Sequence, residues 1–172
     1  MPGTTIGQSM LFGFPGTFAR NADCIIMARP VKATDAVGPA FGTPVILNAD
    51  NTYSAFGAAG TAAAFAGVAV REVNQAITYT AQNIGGYAPG QPCDVIERGA
   101  VSVICNVGNP TAGGDIYVRV ADNAGIPTGV IGGFEAAADG ANTVNLTNCK
   151  WATGQKDANN VTELPILNRN NP

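Results

Sequence analysis

Residues 100–107 read AVSVICNV, and after a turn residues 115–120 read DIYVRV. In both stretches apolar residues take every second position, as expected for strands with one buried face, because successive side chains of a strand point to opposite sides. The inward set is Val101, Val103, Cys105, Val107, Ile116, Val118 and Val120; the outward set is Ser102, Asn106, Asp115, Tyr117 and Arg119. The turn-rich residues 108–114, GNPTAGG, predict that the two strands form a β-hairpin.

Further strand-like segments lie on both sides of this pair. They are residues 68–73, 77–80, 93–99, 128–131, 143–151 and 161–167, rich in β-branched and aromatic residues and separated by Gly, Pro and Asn. Neither a full-length amphipathic helix nor an internal repeat accompanies them. The pattern predicts an all-β fold, a single β-barrel or β-sandwich of jelly-roll-like type.

The length of 172 residues fits a single domain, 1–172, with three parts. Residues 1–23 combine Gly and Pro with Phe12, Phe14 and Phe18 and predict an extended arm, which packs either on its own domain or on another subunit. Residues 24–66 form a loop-rich edge segment, and residues 67–168 form the main β core.

Residues 48–66 are dominated by Ala, Gly, Asn and Thr and predict a long loop with at most one helical turn. Such loops often make contacts, although a plain surface insertion explains the composition equally well. Tyr53 and Phe56 lie in this loop. The candidate contact residues are Phe12, Phe14, Phe18, Tyr53 and Phe56.

Composition excludes several classes of partner. The net charge is −3 with nine Lys and Arg, too few for nucleic-acid binding, and no apolar run approaches the length of a membrane span. The start MPGTT lacks the features of a signal peptide, so the expected compartment is a cytosol. The four cysteines, Cys24, Cys93, Cys105 and Cys149, are expected to be core thiols there.

The sequence also lacks the usual elements of catalysis. It contains no histidine and no nucleotide-binding or nucleophile-elbow motif. Asp94 and Glu97 point to opposite faces of one predicted strand, and the acidic residues are expected to be solvated or to lie in turns. We therefore expect no catalytic residue, cofactor or metal site, although a weak calcium site at the turn near Asp157 stays open. Trp151 is either a binding platform or, as we favour, a packed side chain.

Five segments of the chain, in order, resemble phage structural cement (capsid decoration) proteins. They are residues 65–73 (FAGVAVREV), 87–99 (YAPGQPCDVIERG), 113–119 (GGDIYVR), 127–135 (PTGVIGGFE) and 149–154 (CKWATG). The resemblance covers about residues 65–167, and the N-terminal part matches less clearly.

The resemblance implies a non-enzymatic virion protein on the capsid exterior that bridges major capsid subunits, made in the host cytoplasm and assembled as a homotrimer or, less favoured, a dimer. It carries over no catalytic residue. The alternative is a tail or receptor-binding β-module, in which Tyr53, Tyr87 and Trp151 line a carbohydrate site. A small enzyme is a third class, which the absent histidine and phosphate loop disfavour.

Overall fold

The fold is described here from a computed structural model for residues 12–71 and 85–170. This part of the chain contains nine strands and one short 3-10 turn, Gly140–Asn142, and no α-helix. The strands are β1 (Phe18–Pro30), β2 (Pro44–Leu47), β3 (Tyr53–Ala55), β4 (Phe65–Ala69), β5 (Pro92–Val107), β6 (Tyr117–Arg119), β7 (Phe134–Glu135), β8 (Thr143–Asn145) and β9 (Val161–Ile166).

The long strand β5 organises the sheet. It pairs antiparallel with β1, β4 and β9 and parallel with β7. The hydrogen-bonded path runs β3-β2-β4-β5-β7-β6-β8 and does not close on itself. The predicted all-β class is confirmed, and of its two architectures the fold is sandwich-like and not a closed barrel.

Two apolar clusters form the core. The larger one contains Phe65, Phe134 and Trp151, and the smaller one contains Tyr53 and Tyr87. Trp151 is 1% exposed, which confirms that it packs in the core. The thiols of Cys93, Cys105 and Cys149 are buried and Cys24 packs half-buried against the larger cluster, as predicted for core cysteines.

The alternation predicted for β5 is confirmed on its core face, where Val101, Val103 and Cys105 are fully buried. The segments predicted as 93–99 and 100–107 are one continuous strand, which bends at Gly99 (φ +124°). A Cβ on Gly99 would lie 2.7 Å from the carbonyl oxygen of Asp23 in β1, so this position needs glycine.

The hairpin predicted between residues 100–107 and 115–120 is wrong, because β7 lies between β5 and β6. Only short, specific turns determine which strands become neighbours, and the seven-residue segment 108–114 is not such a turn. The C-terminal end of this segment instead bonds to the backbone of Trp151. Gly113 N donates to Trp151 O at 2.8 Å, and Trp151 N donates to Gly114 O at 3.1 Å.

Several strand predictions change in extent. Residues 128–131 form turns and irregular backbone in place of the predicted strand. The strand predicted over 143–151 ends at Asn145. The loop predicted over 48–66 is interrupted, because it contains β3 and the start of β4. The strand predicted over 68–73 begins earlier, at Phe65, and β9 is confirmed. Residues 18–23 of the predicted arm belong to β1, while 1–11 and the strand predicted over 77–80 lie outside the described residues.

Candidate contact surface

The described end of the arm packs on its own domain. Gly16 N donates to Ser102 O at 2.8 Å, and Ser102 N donates to Thr17 O at 2.9 Å. The hydroxyl of Ser102 donates to Phe12 O at 3.0 Å, and Phe12 N donates to the carboxylate of Asp157 at 3.2 Å. Ser102, predicted to face outward, is therefore buried, because residues 12–17 cover that side of β5.

A close approach of two backbones fixes this segment. Gly16 adopts φ +81°, and a Cβ on it would lie 2.8 Å from Gly42 N. Arg71 N donates to Gly16 O at 2.7 Å, and Gly42 N donates to Ala69 O at 2.8 Å. Pro15 and Phe41 flank the point where the backbones of Gly16 and Gly42 approach, and they form one wall of a surface cleft.

This apolar cleft has a volume of about 220 Å³. Among the described residues none that lines it is charged, and the lining residues are Pro15, Phe41, Gly42, Thr43, Ile104, Asn106, Val130, Ile131, Gly132, Gly133 and Phe134. Val130 is 56% exposed, and Ile104 and Ile131 are each 38% exposed. Exposed apolar side chains gathered at one cleft are typical of a surface that contacts a partner.

The Val130–Ile131 tip is carried by a tightly bonded loop. Gly132 N donates to Arg119 O at 2.8 Å, and Gly133 N donates to Val130 O at 2.8 Å. Gly132 adopts φ +77°, and a Cβ on it would lie 2.4 Å from the carbonyl oxygen of Phe56. The backbone that presents the tip is therefore held by direct contact with the core beneath it.

Below the tip lies a buried ion cluster, the Arg119 cluster, formed by Arg119, Glu135 and Asp139. Arg119 Nε and Nη2 donate to the two carboxylate oxygens of Glu135 at 2.5 and 2.9 Å, and both side chains are fully buried. Arg119 Nη1 donates to Asp139 at 2.8 Å. Hydrogen bonds donated by Asn123 and by Arg119 lower the pKa of Asp139, and the hydrogen bonds that Arg119 donates to Glu135 raise the pKa of Arg119.

Strand alternation alone placed Arg119 outward, and that prediction is wrong. The local sequence carried no signal for this pairing, because Glu135 and Asp139 lie 16 and 20 residues away from Arg119. Charges are almost never fully buried unless they are paired, so the pairing explains the position.

A second carboxylate is also buried. Glu97 is 6% exposed, and it accepts hydrogen bonds from the hydroxyl of Tyr53 at 3.4 Å and from Arg169 Nε at 2.8 Å. The expectation that Glu97 is solvated is wrong, because Tyr53 and Arg169 enclose it. Within residues 12–71 and 85–170, no three Cys, Asp or Glu side chains are grouped as metal ligands, and no helix is long and apolar enough to cross a membrane.

A second cleft, of about 340 Å³, lies nearer the N-terminal end of β5. Its lining residues are Arg20, Asp23, Arg98, Gly99, Ala100, Pro165, Ile166 and Leu167. Two ion pairs rim this charged cleft: Arg20 with Glu163 at 2.6 Å and Arg98 with Asp23 at 2.9 Å. Leu167 is 49% exposed beside them.

The five predicted contact residues occupy different environments. Phe14 is 69% exposed next to the cleft wall at Pro15, whereas Phe12 and Phe18 are partly buried. Tyr53 and Phe56 are buried in the core, because β3 is an integral strand of the sheet. The aromatic platform considered for a sugar has no exposed ring face, since Tyr53, Tyr87 and Trp151 are at most 5% exposed.

Comparison with known proteins decides the family. A family model described as XM1 gp53 minor capsid protein matches residues 3–166. The chain belongs to the XM1 gp53 minor capsid protein family. No curated protein matches the sequence. A chain of the solved structure "The capsid of Myoviridae Phage XM1" shares the fold, with a TM-score of 0.68 and 19% identity over 96% of this chain and 98% of that one.

Membership in the XM1 gp53 minor capsid protein family confirms the resemblance to phage capsid-associated proteins. The protein is a structural component of a phage virion, and a structural capsid family implies a non-enzymatic role.

Proposed function

We propose that this minor capsid protein binds the outer surface of the capsid and stabilises the shell by bridging major capsid subunits. The supporting observation is the apolar cleft, where Ile104 of β5 is exposed beside Val130 and Ile131 of a firmly held loop, and where none of the described lining residues is charged. Apolar side chains exposed in this way gain free energy when a partner covers them. Phe14, exposed next to the same cleft wall, belongs to the proposed contact.

Bridging is supported by the spacing of the two clefts along β5. The apolar cleft includes Ile104 and Asn106, and the charged cleft includes Arg98 and Ala100. At about 3.3 Å per residue, the two surfaces are roughly 13–27 Å apart along the strand. A single chain can therefore contact two neighbouring subunits, and weak contacts repeated around a shell add up through avidity.

The charged cleft suits a contact that forms during assembly. The side chains of Arg98 and Asp23 are 46% and 66% exposed. An exposed ion pair of this kind contributes little to folding stability, so it can exchange partners at small cost. The side chain of Arg20 is 72% exposed, although its partner Glu163 is only 9% exposed. We further propose that the protein is located in the host cytoplasm before assembly. On the capsid it forms a homotrimer at three-fold positions of the lattice, in preference to a dimer.

The test is co-sedimentation with capsids that lack this protein, followed by a copy count against the major capsid protein. Saturable binding at a fixed lattice ratio, with a higher melting temperature of the shell, is the expected result. Absence of binding would contradict the proposal and favour a tail or receptor-binding module.

A double substitution tests the surface itself. Val130→Ser with Ile131→Ser removes two half-covered apolar side chains, worth about 1 kcal/mol each when a partner buries them, so affinity should fall roughly 30-fold. The matched control is Val37→Ser, because Val37 is 76% exposed and lines neither cleft. Equal binding by the double variant and the control would rule out the apolar cleft as the contact.

A further inference from the structure

We infer that the Arg119 cluster is a positioning device, which holds the Val130–Ile131 tip in the shape that the capsid partner recognises. This inference rests on the proposed function, because it assigns the cluster a role in capsid binding. The three members touch neither cleft directly, so they act through the loop above them.

The first step is the reach of Arg119 across residues 120–133, the loop between β6 and β7. Its Nη1 donates to Ala121 O at 3.2 Å, near the start of the loop. In the middle, a Cβ on Gly129 would lie 2.2 Å from Arg119 Nε, so the loop backbone rests directly on the guanidinium. At the end, Arg119 N donates to Gly133 O at 3.1 Å. The side chain and backbone of Arg119 thus contact the loop near its start, at Gly129 and at its end.

The second step is what holds Arg119. Glu135 in β7 binds its fork through two parallel hydrogen bonds, a geometry that fixes direction as well as distance. Asp139 takes the remaining side of the fork and accepts hydrogen bonds from Asn123 at 3.0 Å and Asn142 at 3.2 Å. Asn123 belongs to the loop, so its hydrogen bond to Asp139 holds the first turn of the loop. The contact between Gly129 and Arg119 supports the same loop from below.

The third step is that the side chains of Val130 and Ile131 do not themselves anchor the tip in the core. Val130 is 56% exposed and Ile131 is 38% exposed, so neither side chain is anchored in the core. A loop whose apolar residues face solvent keeps one conformation only if its backbone is held elsewhere. Preorganisation of this kind strengthens binding because fewer groups must be ordered when the partner arrives.

The experiment separates positioning from general stability. Arg119→Met combined with Glu135→Leu replaces the buried ion pair by apolar side chains, which commonly leaves the fold intact. The expected result is a melting temperature lowered by no more than about 8 °C, faster proteolysis within residues 120–133, and capsid affinity lowered about tenfold because the tip must be ordered on binding. Thr128→Ser changes an exposed side chain of the same loop and should bind like the natural protein.

Gly129→Ala provides a second variant if the double variant melts early, since its methyl group displaces the guanidinium without removing a charge. It should lower affinity in the same way. Normal capsid binding by both variants, while Val130→Ser with Ile131→Ser loses binding, would overturn the positioning role and leave the proposed function standing. Normal binding by all of these variants would instead reject the apolar cleft as the contact.

Discussion

The buried ion pair makes a quantitative prediction about stability. Glu135→Leu removes both hydrogen bonds that the carboxylate accepts from Arg119, in a site where both side chains are 0% exposed. The guanidinium keeps only Asp139 and the carbonyl oxygen of Ala121 as partners. Breaking one side of a buried pair costs about 3–5 kcal/mol, a large part of the roughly 5–15 kcal/mol that stabilises a typical domain.

The second substitution should restore most of this loss. Arg119→Met in the Glu135→Leu background removes the buried charge that has lost its main partner, so we expect the double variant to lie within about 1–2 kcal/mol of the natural protein. Urea unfolding followed by Trp151 fluorescence and circular dichroism measures all members of this double-mutant cycle. A loss below about 1 kcal/mol for Glu135→Leu would refute the reasoning, because it would mean that the pair contributes no more than an exposed one.

Two further predictions follow from the ionisable side chains. Asp139 has a lowered pKa in the folded state, so its contribution to stability should be complete above about pH 4, the usual range of Asp, and should be lost as the pH falls through the lowered value. Urea unfolding of the natural protein and of Asp139→Asn across pH 2–7 tests this, and an equally steep acid loss in the variant would contradict it. Burial raises the pKa of the Cys93 thiol to about 12 and also raises that of Cys149. Iodoacetamide at pH 7.5 should therefore leave both thiols unmodified in the folded protein and react with both in urea, as read by peptide mass spectrometry; labelling of the folded protein at the unfolded rate would contradict their burial.

Much of the fold follows from local patterns. The alternation over residues 100–107 predicted the core face of β5, because a strand half-buried in a sheet must alternate. The strand-like residues 161–167 predicted β9. The packed position of Trp151 also followed from its place beside strand-like residues. These predictions held because each depends on neighbours in the sequence.

The contact surface did not follow from such patterns. Val130 and Ile131 are residue types that favour strands. However, Gly129 lies against Arg119 and Gly132 lies against the backbone of Phe56, and these two contacts turn the segment outward. Conversely, Phe56 looked like an exposed loop residue and is 2% exposed. Exposure at such positions depends on which distant segment lies beneath them.

The sequence by itself determined the all-β class, the apolar face of the central strand and the absence of histidine chemistry, because alternation and composition are local properties. Only the tertiary structure decided that β7 lies between β5 and β6, that Arg119 is buried between Glu135 and Asp139, and that three exposed apolar side chains meet at one cleft. Strand order and the pairing of charges bring together residues distant in the chain. Their energies depend on geometry that only the complete fold supplies.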